Sequence, residues 1–392
     1  MRIAIAGQTY DTKTNGQGVF TVHLAEGLAR SGHQVMLLMP SNQGAACRTF
    51  VNRVQIEAIG ALSLAPLYRN VSVTLWPLRQ VALLLDQFQP EIVHLQDHYP
   101  LCRSVLRAAR ERDLPTIGTN HFLPENMTPY VPLSRYCRAS VDRILWRTVL
   151  DVLNQVRIVT TPTETAAEIL RRQRIRIAVH AISCGVDLDR FYPDGCVDRN
   201  EMRRRYGLDP SRTVILYVGR LDREKRLDVL IEAIQRLNRD DLQLAIAGQG
   251  RNGRTLRALA APLARDRRVV FTGFVPAADL PGLLNSVDLF AMPSEAELQS
   301  IATLEAMATG RPVLAADARA LPELVQNGVN GYLFKAGDVE AACQRIAGFA
   351  DEKSRWAPMG EASLAAAQRH SLPVTVERYE DLYRRLNSRC LA

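Results

Sequence analysis

Residues 289–316 read LFAMPSEAELQSIATLEAMATGRPVLAA. Short apolar runs open and close this stretch, at Leu289–Met292 and Val313–Ala316, and the segment between them is long enough for a helix. Near-continuous apolar strands separated by helices are typical of parallel sheets that are covered on both faces. The stretch therefore predicts an α/β fold built from strand–helix–strand units.

The same alternation extends along the rest of the chain. A first series of predicted strands comprises Arg2–Ala6, Gln34–Met39, Glu91–Leu95, Thr116–Thr119, Ile158–Thr161 and Val179–Ser183. After a turn-rich break, a second series comprises Val214–Val218, Leu242–Ala247, Val269–Thr272, Leu289–Met292, Val313–Ala316 and Tyr332–Phe334. Two series of four to seven strands predict two doubly wound domains. Their expected extents are 1–185 and 186–369, and residues 370–392 are expected to form a helix that packs back on the first domain.

Composition narrows the class of protein. The chain has 392 residues, of which 47% are hydrophobic and 23% charged, and these values exclude a disordered, collagen-like or disulfide-scaffold protein. No apolar run reaches the roughly 18–20 residues of a membrane helix, and the apolar run at the N-terminus is too short for a signal peptide. The seven cysteines are scattered and include no Cys-x-x-Cys pair, which indicates reduced thiols. We therefore expect a cytoplasmic protein.

The chain is basic, with 49 lysine and arginine residues against 41 acidic residues and a net charge of +8. Nucleic acid, an anionic membrane surface or a phosphorylated substrate would each account for this excess. No aromatic-basic platform or nucleic-acid recognition motif is present, which argues against the first. Only four of the basic residues are lysines, namely Lys13, Lys225, Lys335 and Lys353. A lysine in this chain is therefore more informative than usual.

Glu297 and Glu305 lie eight positions apart within the opening stretch. If one helix contained both, a rise of about 1.5 Å per residue would separate them by about 12 Å. The carboxylates of glycosidases lie roughly 5–9.5 Å apart, so this spacing disfavours a hydrolytic pair. Two carboxylates at that distance could hold opposite ends of one extended polar ligand. The alternative is that both are solvated glutamates on a helix.

Arg220 and Lys225 follow the predicted strand that ends near Gly219. An arginine fork and a lysine charge beyond the end of a strand suit a diphosphate leaving group. A charged surface turn is the alternative.

Two further features are weaker on their own. The segment Asn15-Gly16-Gln17-Gly18 precedes a predicted helix, where glycines allow backbone N–H groups to approach an anion, although a plain loop would look the same. His121 follows a predicted strand, but a lone histidine is more often a structural or surface residue. No histidine or acidic pair has a convincing metal-ligand spacing, so no metal site is expected.

Taken together and in this order, the motifs resemble glycosyltransferase family 4, the retaining group 1 enzymes with the GT-B fold. The resemblance covers nearly the whole chain. It is carried by Asn15-Gly16, Gly32–Val35, Ile92–His94, His121, Gly185–Asp187 with Phe191, Gly219–Leu221 with Glu224-Lys225, Gly248–Gly250, Phe271–Phe274 and Glu297 to Glu305. It implies two Rossmann-like domains that face a central cleft, the first binding the acceptor and the second binding a nucleotide sugar.

The resemblance implies catalytic roles for four side chains. Arg220 and Lys225 would bind the donor diphosphate, Glu297 would hold the transferred sugar, and His121 would lie beside the anomeric carbon. Phosphate charge would be met by these cations and a helix N-terminus instead of Mg²⁺. No cofactor is therefore expected, and the donor substrate would be a UDP- or GDP-linked sugar.

The donor-binding residues implied by the resemblance include three of these catalytic residues and several further positions. Gly16 would approach the phosphates from the first domain, and Glu305 would bind the ribose hydroxyls. The other positions are Gly219, Arg220, Lys225, Gly273, Phe274, Glu297, Leu298, Gln299 and Ser300. Leu298-Gln299-Ser300 stands where the family usually has Gly-Phe-Gly, which leaves the donor sugar open, and Gln96 stands where many relatives have a second histidine.

The acceptor prediction combines a resemblance with charge patterning. Thr9-Tyr10 with Asn15-Gly16 is similar to the relatives that glycosylate lipids such as diacylglycerol or phosphatidylinositol. A predicted helix over Ser134–Val156 is rich in arginine and contains Trp146, which would suit a membrane interface if it were not in the core. A second basic cluster is Arg171–Arg176, and each basic residue near an anionic bilayer contributes about 1 kcal/mol to binding.

The resemblance, together with the charge patterning, implies a retaining hexosyltransferase that acts on a membrane lipid, with an anionic membrane surface as a partner at the inner face of the cell membrane. Four alternatives remain open. They are transfer to a soluble sugar or small molecule, a nucleotide-sugar epimerase on the same fold, a nucleic-acid-binding protein and a catalytically silent binding module.

Overall fold

The computed structural model describes residues 1–8, 16–41, 44–63, 72–74, 77–124 and 135–388. The chain forms two compact units, the first combining residues 1–184 with 372–392 and the second comprising 185–371. The sequence prediction placed this division after residue 185 and began the terminal helix at residue 370. Thr9-Tyr10 and Asn15, on which the similarity to lipid enzymes partly depends, lie outside the described residues.

Strands and helices alternate through the first unit. Its described elements are β1 (Arg2–Ala6), α1 (Gly16–Arg30), β2 (Gln34–Pro40), β3 (Cys47–Val51), β4 (Val54–Ile59), β5 (Leu62–Ser63), β6 (Ser72–Val73), α2 (Leu78–Phe88), β7 (Ile92–Leu95), α3 (Pro100–Arg110), β8 (Thr116–Thr119), α4 (Arg135–Leu153), β9 (Ile158–Thr161), α5 (Glu164–Arg172) and β10 (Val179–Ala181). The six predicted strands are present as β1, β2, β7, β8, β9 and β10.

The large sheet of this unit has eight strands in the order β10-β9-β8-β7-β1-β2-β4-β3, and β5 pairs separately with β6. Neighbouring strands of the large sheet are parallel except for β3 and β4, which are antiparallel. The predicted range of four to seven strands was wrong because β3 and β4 were missed. Every residue of β3 is exposed, so this edge strand lacks the apolar run by which a buried strand is recognised.

The second unit is also an α/β sheet. Its elements are α6 (Arg199–Arg205), β11 (Thr213–Val218), α7 (Leu227–Leu237), β12 (Leu242–Ala247), α8 (Gly253–Leu259), α9 (Ala261–Ala264), β13 (Val269–Gly273), α10 (Leu280–Ser286), β14 (Leu289–Met292), α11 (Ile301–Ala308), β15 (Val313–Asp317), α12 (Leu321–Leu324), β16 (Gly331–Lys335), α13 (Val339–Asp351) and α14 (Trp356–Gln368). Six parallel strands form one sheet in the order β13-β12-β11-β14-β15-β16. This is the 3-2-1-4-5-6 order of a doubly wound sheet.

In both sheets the strand order reverses beside the first strand of the unit. The reversal lies between β1 and β7 in the first unit and between β11 and β14 in the second. Helices leave the sheet in opposite directions at such a point, and a crevice opens beyond the carboxyl ends of the two strands. Ligand sites are therefore expected after β1 and β7, and after β11 and β14.

A final helix, α15 (Leu372–Ser388), belongs to the first unit. It packs closely on α1, since a Cβ added at Gly27 would lie 2.5 Å from Val376 Cγ2. Tyr379 and Tyr383 are fully buried, and the Tyr383 hydroxyl lies 2.8 Å from His94 Nδ1 in the centre of the sheet. Within the described ranges, no helix combines the length and the apolar character needed to cross a bilayer.

Candidate active site

A cavity of about 40 Å³ lies at the carboxyl end of the first sheet, where the strand order reverses. The loops that follow β7 and β8 supply most of its wall, and α1 and α4 complete it. Its polar lining includes Gln17, Gln96, Asp97, His98, Asn120 and His121. The first unit therefore has a small polar cavity at the position that its topology favours for a ligand.

His121, the predicted active-site histidine, lies in this cavity two residues beyond the end of β8. Its ring centroid is 4.9 Å from that of Phe20 on α1, and its Nε2 lies 3.1 Å from Gln96 Oε1. Burial lowers the pKa of His121 to about 3. The imidazole is therefore neutral at physiological pH.

The amide of Gln96 joins the partly buried His121 to the fully buried His94. Its Oε1 accepts from His121 Nε2, and its Nε2 lies 3.2 Å from His94 Nε2. An amide oxygen can only accept, so His121 must carry its proton on Nε2, which leaves Nδ1 as the acceptor of the ring. A residue that departs from the family pattern thus sets the tautomer of the predicted active-site histidine.

Asp97 adds a buried carboxylate to the same cavity. Its Oδ2 accepts hydrogen bonds from the backbone N–H of Gln8 at 2.6 Å and from Gln17 Nε2 at 3.1 Å, and its Oδ1 accepts from the Tyr99 N–H at 3.0 Å. Burial raises the pKa of Asp97, which these hydrogen bonds and the nearby Cys102 thiol partly offset. Asp97 is thereby held at the end of β7, beside the loop that follows β1.

In the second unit, the loop after β11 is built on close backbone contacts. Gly219 has a φ of +155°, and a Cβ there would lie 2.6 Å from the Tyr217 hydroxyl. A Cβ at Gly248, which has a φ of +135°, would lie 1.9 Å from the Gly219 carbonyl oxygen. Glycine is therefore required at both positions, because the loops after β11 and β12 touch through their backbones.

The same contact extends to the loop after β13. The Gly248 N–H donates to the Gly273 carbonyl oxygen at 2.7 Å, and Gly273 has a φ of +75°. Phe274, the next residue, is 44% exposed. An exposed aromatic ring on a glycine-bounded turn at this edge can stack on a planar ligand.

Arg220 stands at the start of the loop after β11. Its guanidinium donates to Asp222 at 2.6 Å and to Glu224 at 3.1 Å, and its side chain is 45% exposed while both acids are buried. The two carboxylates fix one side of the guanidinium. The remaining exposure leaves the other side accessible to an anion.

Lys225 forms an ion pair with Glu297, 72 positions later in the chain, at 2.5 Å between Nζ and Oε1. Both side chains are nearly buried, at 14% and 11% exposure. Ser294 and Glu295 bond to the Glu224 carbonyl oxygen at 3.3 Å and 3.1 Å, which ties the loop after β14 to the loop after β11. A cation and a carboxylate therefore meet where the strand order of the second sheet reverses.

Glu305 lies on α11, whereas Glu297 precedes this helix. Helix α11 begins at Ile301 and is capped by Ser300, whose hydroxyl accepts from the Thr303 N–H at 3.2 Å. The separation of about 12 Å assumed one helix through both glutamates, so that assumption was wrong. Burial raises the pKa of Glu305 to about 7, with Arg190 acting in the opposite direction.

Comparisons with known proteins identify the family of the chain. The model of Glycosyltransferase Family 4 matches residues 14–190, and that of Glycosyl transferases group 1 matches residues 198–364. The first matched range covers most of the first unit and ends six residues into the second unit, and the second matched range lies within the second unit. The chain belongs to the GT-B glycosyltransferases.

Individual relatives place this glycosyltransferase among hexosyltransferases. An alpha-monoglucosyldiacylglycerol synthase of Streptococcus pneumoniae is 24% identical over 340 residues, which are 85% of this chain and 75% of that protein. A GDP-mannose-dependent alpha-mannosyltransferase of Mycolicibacterium smegmatis is 29% identical over 349 residues, covering 87% and 86% of the two chains. The solved sucrose-phosphate synthase of Thermosynechococcus elongatus has a TM-score of 0.81 and 19% identity, covering 99% of both chains, and it supports the fold.

Within the second unit, the structure brings several predicted site residues of this glycosyltransferase together. Lys225 and Glu297 are in direct contact, and Arg220 lies on the same loop beyond Gly219. Leu298 and Ser300 are buried beside Glu297, and Gln299 is partly buried. Gly16 and His121 lie in the other unit, where Gly16 is the exposed first residue of α1.

Sequence analysis missed Asp97 and the role of Gln96. Both follow the buried strand β7, which neighbours β1 at the reversal of strand order. An acid and an amide directly after a buried parallel strand were the available signal. Among the residues that the structure describes, no group of three or more His, Cys, Asp or Glu side chains could hold a metal ion.

Proposed function

We propose that this glycosyltransferase moves a hexose from a UDP- or GDP-linked sugar to a hydroxyl group of a membrane lipid, such as diacylglycerol or a glycolipid, with retention at the anomeric carbon. The observation that carries the proposal is the meeting of Lys225 with Glu297, beside the half-exposed Arg220, at the switch point of the second sheet. A diphosphate binds to cations, which Arg220 and Lys225 provide. The hydroxyl groups of a hexose donate hydrogen bonds to a carboxylate, which Glu297 provides.

The donor would exchange one set of contacts for another. A bound diphosphate would take Lys225 as its cation, and the Glu297 carboxylate would then accept hydrogen bonds from sugar hydroxyls. Arg220 would turn its accessible side to the same phosphates while Asp222 and Glu224 hold the other side. Glu305, whose pKa burial raises to about 7, would accept from the ribose hydroxyls in its ionised form.

In the transfer step, the acceptor oxygen bonds to the anomeric carbon and the bond from that carbon to the diphosphate oxygen breaks. The acceptor proton goes to an oxygen of the departing diphosphate. Lys225 and Arg220 stabilise the charge that develops on the leaving group, without a metal ion. His121 is neutral, so its Nδ1 would accept a hydrogen bond from the acceptor hydroxyl or a sugar hydroxyl and would orient it.

The lipid part of the proposal is supported by a relative and by surface charge. The Streptococcus pneumoniae relative has a glucosyldiacylglycerol in its name. In the second basic cluster, Arg171 and Arg172 pair with Glu164 and Glu168 on the preceding turns of α5. In the rest of this cluster, Arg174 and Arg176 lack an acidic partner among the described residues. The cluster as a whole therefore carries less net positive charge than the sequence suggested.

The residues of helix α4 that could contact a membrane differ from those that the sequence suggested. Trp146 is 7% exposed and belongs to the core, so it is not available to a membrane interface. The exposed face of α4 includes Arg143, Ile144 and Arg147, with Ile144 at 59% exposure. An exposed apolar side chain next to arginines on a helix surface suits peripheral contact with an anionic bilayer.

The test is to incubate the protein with a panel of UDP- and GDP-sugars, with and without total lipid extract, and to measure nucleoside diphosphate release and products by mass spectrometry. Lipid-dependent release and a hexosylated lipid with the donor's anomeric configuration are expected. Transfer to a soluble sugar alone would contradict the lipid acceptor and identify a soluble sugar as the acceptor instead. Conversion of the donor sugar without an acceptor would instead indicate an epimerase.

A further inference from the structure

The cavity of the first unit differs in charge from the site in the second unit. Asp97 is the acidic residue of its lining, and the described lining includes no arginine or lysine. Its other polar residues carry amides, hydroxyls or imidazoles. The second unit, in contrast, presents Arg220 and Lys225 at the equivalent point of its sheet.

The Asp97 carboxylate is held in the cavity by uncharged groups. Its hydrogen bonds come from the backbone of Gln8 and Tyr99 and from the amide of Gln17, and the Cys102 thiol lies nearby. These contacts fix both oxygens without neutralising them. An anion placed beside Asp97 would lose its hydration and would meet a carboxylate, whereas a hydroxyl could donate a hydrogen bond to it.

The two histidines of the cavity do not supply the missing positive charge. Burial lowers the pKa of His98 to about 4, with a further contribution from Arg103, and lowers that of His121 to about 3. Both rings are neutral near pH 7. Whether Asp97 is ionised or protonated, the described lining offers no cation to a phosphate.

We propose that the acceptor group bound in this cavity is uncharged, namely a hydroxyl of a neutral sugar ring or of glycerol, and that Asp97 excludes acceptors that carry a phosphate beside the reacting hydroxyl. This inference rests on the proposed function and specifies its acceptor class. Anionic lipid would then be a surface that the exposed arginines contact, and the reacting lipid would be a neutral one.

The test compares paired acceptors that differ by a phosphate or a phosphoglycerol group. Octyl glucoside is paired with octyl glucoside 6-phosphate, and 1,2-dioctanoylglycerol with 1,2-dioctanoylphosphatidylglycerol, each with the donor sugar that the protein hydrolyses or transfers fastest. A phosphate in this cavity would lose its hydration, find no cation in the described lining and lie beside the Asp97 carboxyl group. We therefore expect kcat/KM for the neutral member to exceed that for its phosphorylated partner by at least about tenfold.

Asp97→Asn removes the ionisable carboxyl group and keeps the size of the side chain. It should narrow the ratio between neutral and phosphorylated acceptors several-fold, with nucleotide affinity unchanged, because a merely structural effect would lower both rates equally. Asp151→Asn, the same change on the exposed face of α4, is the control and should leave the ratio unchanged. If Asp97→Asn fails to fold, the comparison of acceptors with the wild-type protein still decides the charge preference.

The outcomes separate this inference from the proposed function. Equal or faster use of the phosphorylated acceptors overturns the inference and leaves the glycosyltransferase proposal intact. Use of octyl glucoside in preference to its 6-phosphate, but of neither diacyl compound, supports the inference and overturns diacylglycerol as the acceptor, leaving a glycolipid. A folded Asp97→Asn variant with an unchanged ratio overturns the role of Asp97, and transfer to none of the four compounds overturns both proposals.

Discussion

Replacing Lys225 by alanine is the most direct test of the donor site, because this side chain is paired with Glu297 and is almost buried. The variant loses the cation that would face the developing charge on the diphosphate. Removing one preorganised group of this kind typically costs about 2.7–4 kcal/mol, or roughly 10²–10³ in turnover. We therefore expect kcat for sugar transfer to fall by that factor at saturating donor.

The same change should also lower stability, because it leaves the Glu297 carboxylate without its partner. Removing one member of a buried ion pair costs at most about 3–5 kcal/mol. For a unit of 150–250 residues, each kcal/mol lowers Tm by roughly 2–4 °C. A loss of activity could then reflect partial unfolding, and a second variant is needed to separate the two effects.

The double variant Lys225→Met with Glu297→Gln provides that separation. It removes both charges and keeps the volume, so most of the lost Tm should return, as is usual when both partners of a pair are replaced. Turnover should stay low, because the phosphate cation and the sugar-binding carboxylate are both absent. Lys335→Ala, at an exposed position on β16, should resemble the wild type in calorimetry and in rate assays. Near-wild-type kcat for Lys225→Ala, or recovery of kcat in the double variant, would refute the assignment.

Further predictions concern the other parts of the site. Because burial raises the pKa of Glu305 from its usual 4.5 to about 7, the stability it contributes is present in acid and declines as pH rises from 4.5 to 7. Nucleoside diphosphate affinity should strengthen from pH 6 to 8 as the carboxylate ionises, and Glu305→Gln should reduce that dependence in calorimetric titrations to the part that the ligand's terminal phosphate contributes. His121→Ala should abolish transfer without weakening nucleotide binding, and a parallel loss of binding would make His121 a structural residue. Transfer should persist in EDTA, and a loss that Mg²⁺ restores would contradict a metal-independent reaction. Co-sedimentation with anionic liposomes should weaken from low to physiological salt, and it should weaken more in Arg174→Gln with Arg176→Gln than in Arg171→Gln with Arg172→Gln. Absence of binding at low salt would favour a soluble acceptor.

Fold class was accessible from the sequence because parallel strands buried on both faces are short apolar runs, as in Val214–Val218 and Leu242–Ala247. Strand β3 could not be predicted in this way, because all its side chains are exposed and only its backbone pairs with β4. The limit is physical: an edge strand is specified by its neighbour's backbone and not by its own hydrophobicity.

The site was predicted residue by residue but not as a set of contacts. The Lys225–Glu297 pair joins loops 72 positions apart, and only the sheet order places β11 beside β14. The start of α11 was also missed, because Ser300 has the threonine Thr303 three positions later where a capping box would have glutamate or glutamine. Asp97 was missed because it belongs to no motif, and its significance depends on the burial that the fold imposes.

The low pKa of His121 constrains the chemistry that remains for this residue. A ring that stays neutral down to about pH 3 does not deliver a proton to a leaving group at pH 7, so general-acid catalysis by His121 is disfavoured. Its Nε2 proton is committed to Gln96, and Gln96 is in turn held at His94, which contacts Tyr383 of the terminal helix. What is left is the Nδ1 lone pair, an acceptor fixed in direction by a chain of buried hydrogen bonds. Such an acceptor can orient a hydroxyl group. Stabilisation of the negative charge that develops on the leaving diphosphate is then left to Lys225 and Arg220 of the second unit.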